Sequence, residues 1–265
     1  MLAEIHAYYE SGVEDGRLSA GAGRLEFLRT WDVLTRVLPS APASVLDVGG
    51  ATGVYAGPLA RAGYRVHVVD PVAAQVAVAA ALPGVTAQVG DARVLTAADA
   101  SVDAVLLLGP LYHLTDRADR LAVWHEAARA VRPGGVVVAA TISRYASLLD
   151  GFVKSYLADP DFLDVVRGDL ATGEHRNPEH VRGWFTTAYF HHPSEPPAEA
   201  TEARLEVERV VAVEGPLWMV STLSDFLAGD ERTRLTLDLL REVESEPSLF
   251  GASAHLLTVA RRAAG

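Results

Sequence analysis

The chain reads as an α/β protein with a doubly wound, mostly parallel sheet, and three observations predict that fold. Strand-length apolar runs alternate with helix-length segments from residue 44 onward. The first three runs close on acids, Asp47, Asp70 and Asp91. The first of them, SVLDVGGATG at residues 44–53, passes directly from a buried-strand pattern into a glycine turn. Strands that alternate with helices lie parallel and are covered on both faces, which is why they read as continuous apolar runs.

Taken in order, residues 2–38 place Leu25, Phe27, Leu28, Trp31, Leu34 and Leu38 at helical spacing, predicting one or two helices, and Pro39 to Pro42 stop them. Then follow strand 44–48, helix 54–62, strand 65–70, helix 72–81, strand 85–90, strand 102–108, helix 117–131 and strand 135–141. Arg132-Pro133-Gly134-Gly135 is expected to be the turn that ends the last helix. Residues 143–192 break the alternation with an aromatic, His-bearing segment. A helix at 195–204, a strand in LEVERVVAVEG, helical residues 217–246 and a strand in AHLLTVARR restore it, making seven strands. The expected organisation is a helical N-terminal segment, 1–39; a core, 40–142; a lid insertion, 143–192; and a completion of the sheet, 193–265, with a second lid part at 216–246. A lid there lies over the carboxyl ends of the strands, where open α/β sheets bind ligands.

With 265 residues, 49% of them hydrophobic, the chain has the makings of an ordinary globule. It has no cysteine, which excludes disulfides, thiolate metal sites and thiol nucleophiles. A net charge of −11 without any Lys/Arg run argues against a nucleic-acid partner. The N-terminus lacks a long apolar run, so neither a signal peptide nor a membrane anchor is expected, and the cytoplasm is the expected location. Oligomeric state is not readable.

A dinucleotide loop of the form Gly-x-Gly-x-x-Gly is not present, because Ala51 stands where its second glycine belongs, and the acid precedes the turn. An NAD(P)-dependent oxidoreductase is therefore disfavoured. Over roughly residues 40–142 the chain instead resembles a class I S-adenosylmethionine-dependent methyltransferase of the ubiquinone-biosynthesis-like, type 11 group, with a Rossmann-like core. The resemblance implies S-adenosylmethionine as cofactor, with Asp47, Gly49, Gly50 and Gly53 forming its loop and the carbonyls of Gly49 and Leu108 receiving its ammonium. It implies Asp70 at the ribose hydroxyls, Asp91 and the Ala92 amide at the adenine edge, and Pro71 against the ring. Relatives close an N-terminal segment over the cofactor, which makes Arg29 and Tyr8 or Tyr9 candidates for its carboxylate.

The run LLLGPLYHLTDR after the fourth strand puts Tyr112 and His113 where the family faces the transferred methyl group. A histidine there is expected to act as general base or to orient the acceptor, a small molecule. In the expected lid, His175, Tyr189 and His191 are candidates for substrate contact. No metal is expected, because His125-Glu126 lacks the second histidine of a zinc helix. The rival reading is a catalytically inactive binding or regulatory subunit on the same fold.

Overall fold

The computed structural model describes residues 5, 8, 16–177, 181 and 183–264. Helix α1 (Gly21–Val37) leads into β1 (Ser44–Val48), α2 (Ala56–Arg61), β2 (Arg65–Asp70), α3 (Ala73–Ala80), β3 (Val85–Val89) and β4 (Val102–Leu107). A 3-10 turn, Leu111–His113, precedes α4 (Arg117–Ala130) and β5 (Val131–Ser143). Next come α5 (Ala146–Val153), α6 (Pro160–Thr172), the two-residue β6 (Glu174–His175) and β7 (Ala188–His191). The chain continues through α7 (Glu195–Glu202), β8 (Leu205–Ala212), α8 (Leu223–Phe226), α9 (Asp230–Val243) and β9 (His255–Arg262). Among the described residues no helix is long and apolar enough to cross a membrane.

The sheet follows the order β3-β2-β1-β4-β5, with β1 to β5 parallel, then β9 antiparallel to β5 and β8 antiparallel to β9. Side chains alternate across it, as a period of two demands. Ala104, Leu106, Val136 and Val138 join one buried layer with Val33, Leu34 and Leu59 from α1 and α2. Val105, Leu107, Val137 and Ala139 join the other, with Trp124 and Ala127 of α4 and Ala200 of α7. Both faces are thus covered, and each wholly buried Leu or Val side chain contributes roughly 1.5–3 kcal/mol. This confirms the doubly wound fold.

Two expectations need correction. Arg132-Pro133-Gly134-Gly135 is no helix-ending turn but a bulge within β5, because pairing steps from Val102↔Val131 to Ala104↔Val136. Gly134 has φ +77°, and a Cβ on Gly135 would fall 2.7 Å from the Asp103 carbonyl oxygen, so glycine is what lets the strand resume there. The segment 143–192 also does more than cover the sheet: β7 pairs with the tip of β5, making nine strands rather than seven. Ile142 pairs with Phe190 of β7 and with His255 of β9, which sets β7 on the β4 side of β5. There it sits beyond the end of β4, against the Leu111–His113 turn.

Candidate active site

A cavity of about 760 Å³ opens at the carboxyl ends of β1, β2, β3 and β4, lined by the loops that follow them and by α1. It straddles the point where strand order turns from β1–β2 to β1–β4, the place at which open α/β sheets leave a crevice. Asp47, Gly49, Gly50, Asp70, Pro71, Asp91, Ala92, Leu108, Tyr112 and His113, all candidates from sequence, line it. Gly53, at the end of the same loop, does not, though its N–H donates to the Gly50 carbonyl at 2.9 Å.

Asp47 is 1% exposed, and neither carboxylate oxygen has a hydrogen-bond partner among the described residues. Burial, reinforced by the nearby Asp70 charge, pushes its carboxyl up to about 7. The glycines explain how so costly a group is approached closely. A Cβ on Gly50 would lie 2.6 Å from Asp47 Oδ2, and one on Gly49, at φ +71°, would lie 2.9 Å from Pro110 Cδ. Ala51 takes φ +49° despite its methyl, and its N–H donates to Asp70 Oδ2 at 3.0 Å. Asp70 Oδ1 accepts from the Val72 N–H at 2.9 Å. These bonds aim the Asp70 carboxylate across the loop rather than into solvent.

Not every candidate is placed as expected. The Asp91 carboxylate is clasped by Arg93, at 3.0 Å through Nε and 2.6 Å through Nη2, and this pairing holds its pKa below the usual range. Arg29 lies outside the cavity, wholly buried, donating to Asp32 at 2.9 Å, to Glu244 at 2.6 Å and to the Val213 carbonyl at 3.0 Å. Its charge ties α1 to the end of α9, away from the cavity. Tyr9 lies outside the described residues; Tyr8 packs edge-on against Phe185, 5.8 Å between centroids.

The Tyr112 hydroxyl donates to the Leu108 carbonyl at 3.1 Å, and its ring meets that of His113 edge-on at 4.6 Å. Burial drives the His113 imidazole down to about 3, against an opposing hydrogen bond to the Thr187 backbone. It therefore stays neutral through the physiological range. Tyr189 and His191, expected at the substrate, belong instead to β7 within the sheet and line neither chamber described here. The Tyr189 hydroxyl donates to Glu195 at 2.7 Å, and Arg120 lies 3.8 Å over its ring. His191 is wholly buried, and burial followed by the fields of Arg120 and Arg144 holds it neutral. His175 stacks on Phe190 at 4.7 Å and bonds Asp169 at 2.9 Å, lining a second chamber of about 230 Å³.

Sequence reasoning missed the polar wall between the two chambers. Arg17, Glu26, Tyr112 and His255 line both. His255 Nδ1 lies 2.6 Å from Glu214 Oε1 and 3.7 Å from Glu26 Oε2, and Arg17 reaches Glu26 Oε1 at 3.0 Å. Burial opposes the imidazolium, but Glu26 and Glu214 outweigh it and push His255 up to about 9. Their ligand atoms lie within 4.8 Å of one another, close enough for a metal, yet Arg17 and the imidazolium already balance the two carboxylates. The wall joins residues more than 200 positions apart, and no local pattern announces it.

Residues 45–135 match the family model of a methyltransferase domain. An uncharacterized methyltransferase of Mycobacterium bovis is 40% identical over 100 residues, 37% of this chain and 40% of that protein. A ubiquinone biosynthesis O-methyltransferase of a Methylobacterium species is 36% identical over 111 residues, 40% of this chain and 43% of its own length. The chain thus spans about two fifths of the curated relatives it matches. An S-adenosylmethionine-dependent methyltransferase of Methanosarcina mazei superposes with a TM-score of 0.59 at 18% identity, over 88% of this chain and 98% of that one.

Proposed function

We propose that this chain, built on the class I S-adenosylmethionine-dependent methyltransferase fold with a methyltransferase domain over residues 45–135, methylates a small-molecule acceptor in the cytoplasm. The observation that carries the reading is Asp47, an acid sealed at the foot of a glycine loop with both oxygens lacking a hydrogen-bond partner among the described residues. A buried carboxylate of that kind costs several kcal/mol unless a cation or donors meet it. The ammonium group of the cofactor's amino-acid end is such a partner, and the Gly49 and Leu108 carbonyls beside it are further acceptors. Asp70, oriented by two backbone N–H groups, lines the cavity as the acceptor for the ribose hydroxyls. Pro71 and Ala92 supply apolar cover for the adenine. Asp91, clasped by Arg93, contributes at most its remaining lone pairs to the adenine amino group.

When bound, the cofactor supplies an electrophilic methyl group on a positively charged sulfur. The protein's task is to align an acceptor and exclude water, which is enough for an in-line displacement. His113 serves that task as an orienting group, not as the base the sequence also allowed, because an imidazole held near 3 is too weak a base at neutral pH. The net charge of −11 suits a small acceptor better than a nucleic acid.

Calorimetric titration with S-adenosylhomocysteine tests the reading. The wild-type chain is expected to bind, and Asp47→Asn to lose roughly 1.5–3 kcal/mol, the worth of a hydrogen bond to a charged group. Failure of the wild type to bind would sink the proposal. For His113→Ala, single-turnover methyl transfer is expected to slow without losing any titration limb between about pH 5 and 9; loss of such a limb would restore the base.

A further inference from the structure

The second chamber is walled by Phe162, Trp184, Phe185, Phe190 and Trp218, with His255 at the partition. Phe162 and Trp184 meet at 5.0 Å between centroids, and the Trp218 indole N–H donates to the Ala252 carbonyl at 2.9 Å, so these rings are fixed in place. Such a lining accepts a flat apolar body through offset and edge contacts. At the partition, Glu214 is 2% exposed and is itself held by the Ser253 hydroxyl at 2.9 Å and the His255 N–H at 3.0 Å. A rigidly held carboxylate bonded to one imidazole nitrogen fixes the ring and leaves the other N–H for a ligand.

The charges at this wall select among ligands. Arg17 and His255 face Glu26 and Glu214, while Lys154 and Asp150, which also line the chamber, pair with each other at 2.8 Å. An added carboxylate would meet Glu26, and an added amine would meet Arg17 and the imidazolium. A hydroxyl enters uncharged, and ionises only once its oxygen lies against the imidazolium. We infer that the aromatic chamber receives the ring of a methyl acceptor bearing a phenolic or enolic hydroxyl, and that His255, oriented by Glu214, holds that oxygen in its ionised form through the imidazolium's remaining N–H.

The inference rests on the methyltransferase reading for the word acceptor, while the binding step stands alone. In it the O–H bond breaks, its electron pair stays on oxygen, and the proton leaves to water; nothing is oxidised or reduced. Below about pH 9 His255 already holds its own proton and donates a hydrogen bond to that oxygen. The complex is a phenolate beside an imidazolium, with Glu214 as the positioning residue. Among the described residues, Glu26, Glu214 and Arg17 are the charged groups that act on this ring from the other elements.

The test titrates 4-nitrophenol into the full chain, without cofactor, at a pH below the phenol's own pKa. The phenolate absorption band is expected to appear on binding, with quenching of tryptophan fluorescence. His255→Gln is expected to lower the band at least tenfold, and Trp184→Ala to weaken binding several-fold while keeping it. Glu214→Gln, which retains the hydrogen bond but not the charge, is expected to show the band only at higher pH. Affinity for S-adenosylhomocysteine should not change in Trp184→Ala or Glu214→Gln, whose side chains lie off the larger cavity. A wild-type protein that binds S-adenosylhomocysteine but shows no phenolate band overturns this inference alone, whereas loss of S-adenosylhomocysteine binding overturns the proposed function. A band that requires added magnesium and vanishes with chelator would assign Glu26, Glu214 and His255 to a metal and also overturn it.

Discussion

Asp47 sets function against stability within one side chain. Its carboxyl is raised to about 7 in the fold, against about 3.9 in the unfolded chain. Between those values the native state binds the extra proton, so stability falls as pH rises from about 4 to 7 and stays low above. Asp47→Asn is therefore expected to melt at a higher temperature than the wild type at about pH 8, to lose that advantage near pH 5, and to bind S-adenosylhomocysteine poorly. Thermal melts of both proteins across pH check the sign; a mutant less stable at pH 8 than at pH 5, relative to wild type, would refute it. The loop glycines differ in the same graded way. Gly53, at φ +84°, would put a Cβ 2.6 Å from Leu82 Cδ1, and Gly53→Ala is expected to cost about 1–3 kcal/mol. Ala51 already tolerates φ +49°, so Ala51→Gly relieves about 1 kcal/mol of strain and loosens the unfolded chain by a similar amount, for a net change near zero. Denaturant titration of the two variants separates them.

At the scale of elements, α1 is held to the sheet by apolar packing and to α9 by charge. Asp32 takes Arg29, Arg36 and Arg241, and Glu244 takes Arg29 and Arg36. Arg29→Ala would leave Glu244 and Asp32 short of a buried cation and is expected to cost about 3–5 kcal/mol. Because Arg29 lies off the cavity, S-adenosylhomocysteine affinity in the folded mutant should match the wild type; a selective loss of affinity would return Arg29 to the ligand site. Asp32 and Glu244 are both held below their usual range, their pairing with arginines outweighing burial. Their contribution is full above about pH 4 and lost as pH falls further. The segment carrying β6 and β7 behaves as part of the sheet. His175→Ala removes the Asp169 hydrogen bond and the Phe190 stack and is expected to destabilise the fold by about 2–4 kcal/mol, where a loose lid would lose activity alone. Chemical denaturation of the variant reads the difference.

For the molecule as a whole, the cavity lies where four strand ends and α1 converge, so a ligand there bridges elements distant in sequence. S-adenosylhomocysteine at about a hundredfold excess over its dissociation constant should stabilise the chain by about 2.7 kcal/mol, raising the melting midpoint by roughly 5–10 °C. A shift of this size that disappears in Asp47→Asn ties the gain to the glycine loop.

The doubly wound core, its strand ends and its glycine loop were legible in the residues themselves. Continuous apolar runs, helix-length spacers and strand-end acids are local signals, and burying both faces of a parallel sheet forces them into one arrangement. Asp47 and Asp70 could be placed at one cavity because the carboxyl ends of parallel strands share one edge of the sheet, while Gly49 and Leu108 came from the family resemblance. Three outcomes had no local signal. Arg29 found buried acids rather than a ligand, because Glu244 reaches it from 215 residues away. Tyr189 and His191 became sheet residues because β5 runs on past its neighbour and offers an open edge to Ala188–His191. His255 and Glu214 met at the partition because β8 and β9 pair antiparallel, which sets the turn after β8 beside the start of β9. Contacts of that range depend on which edges and charges remain unpaired once the core has formed, and only the tertiary structure decides that.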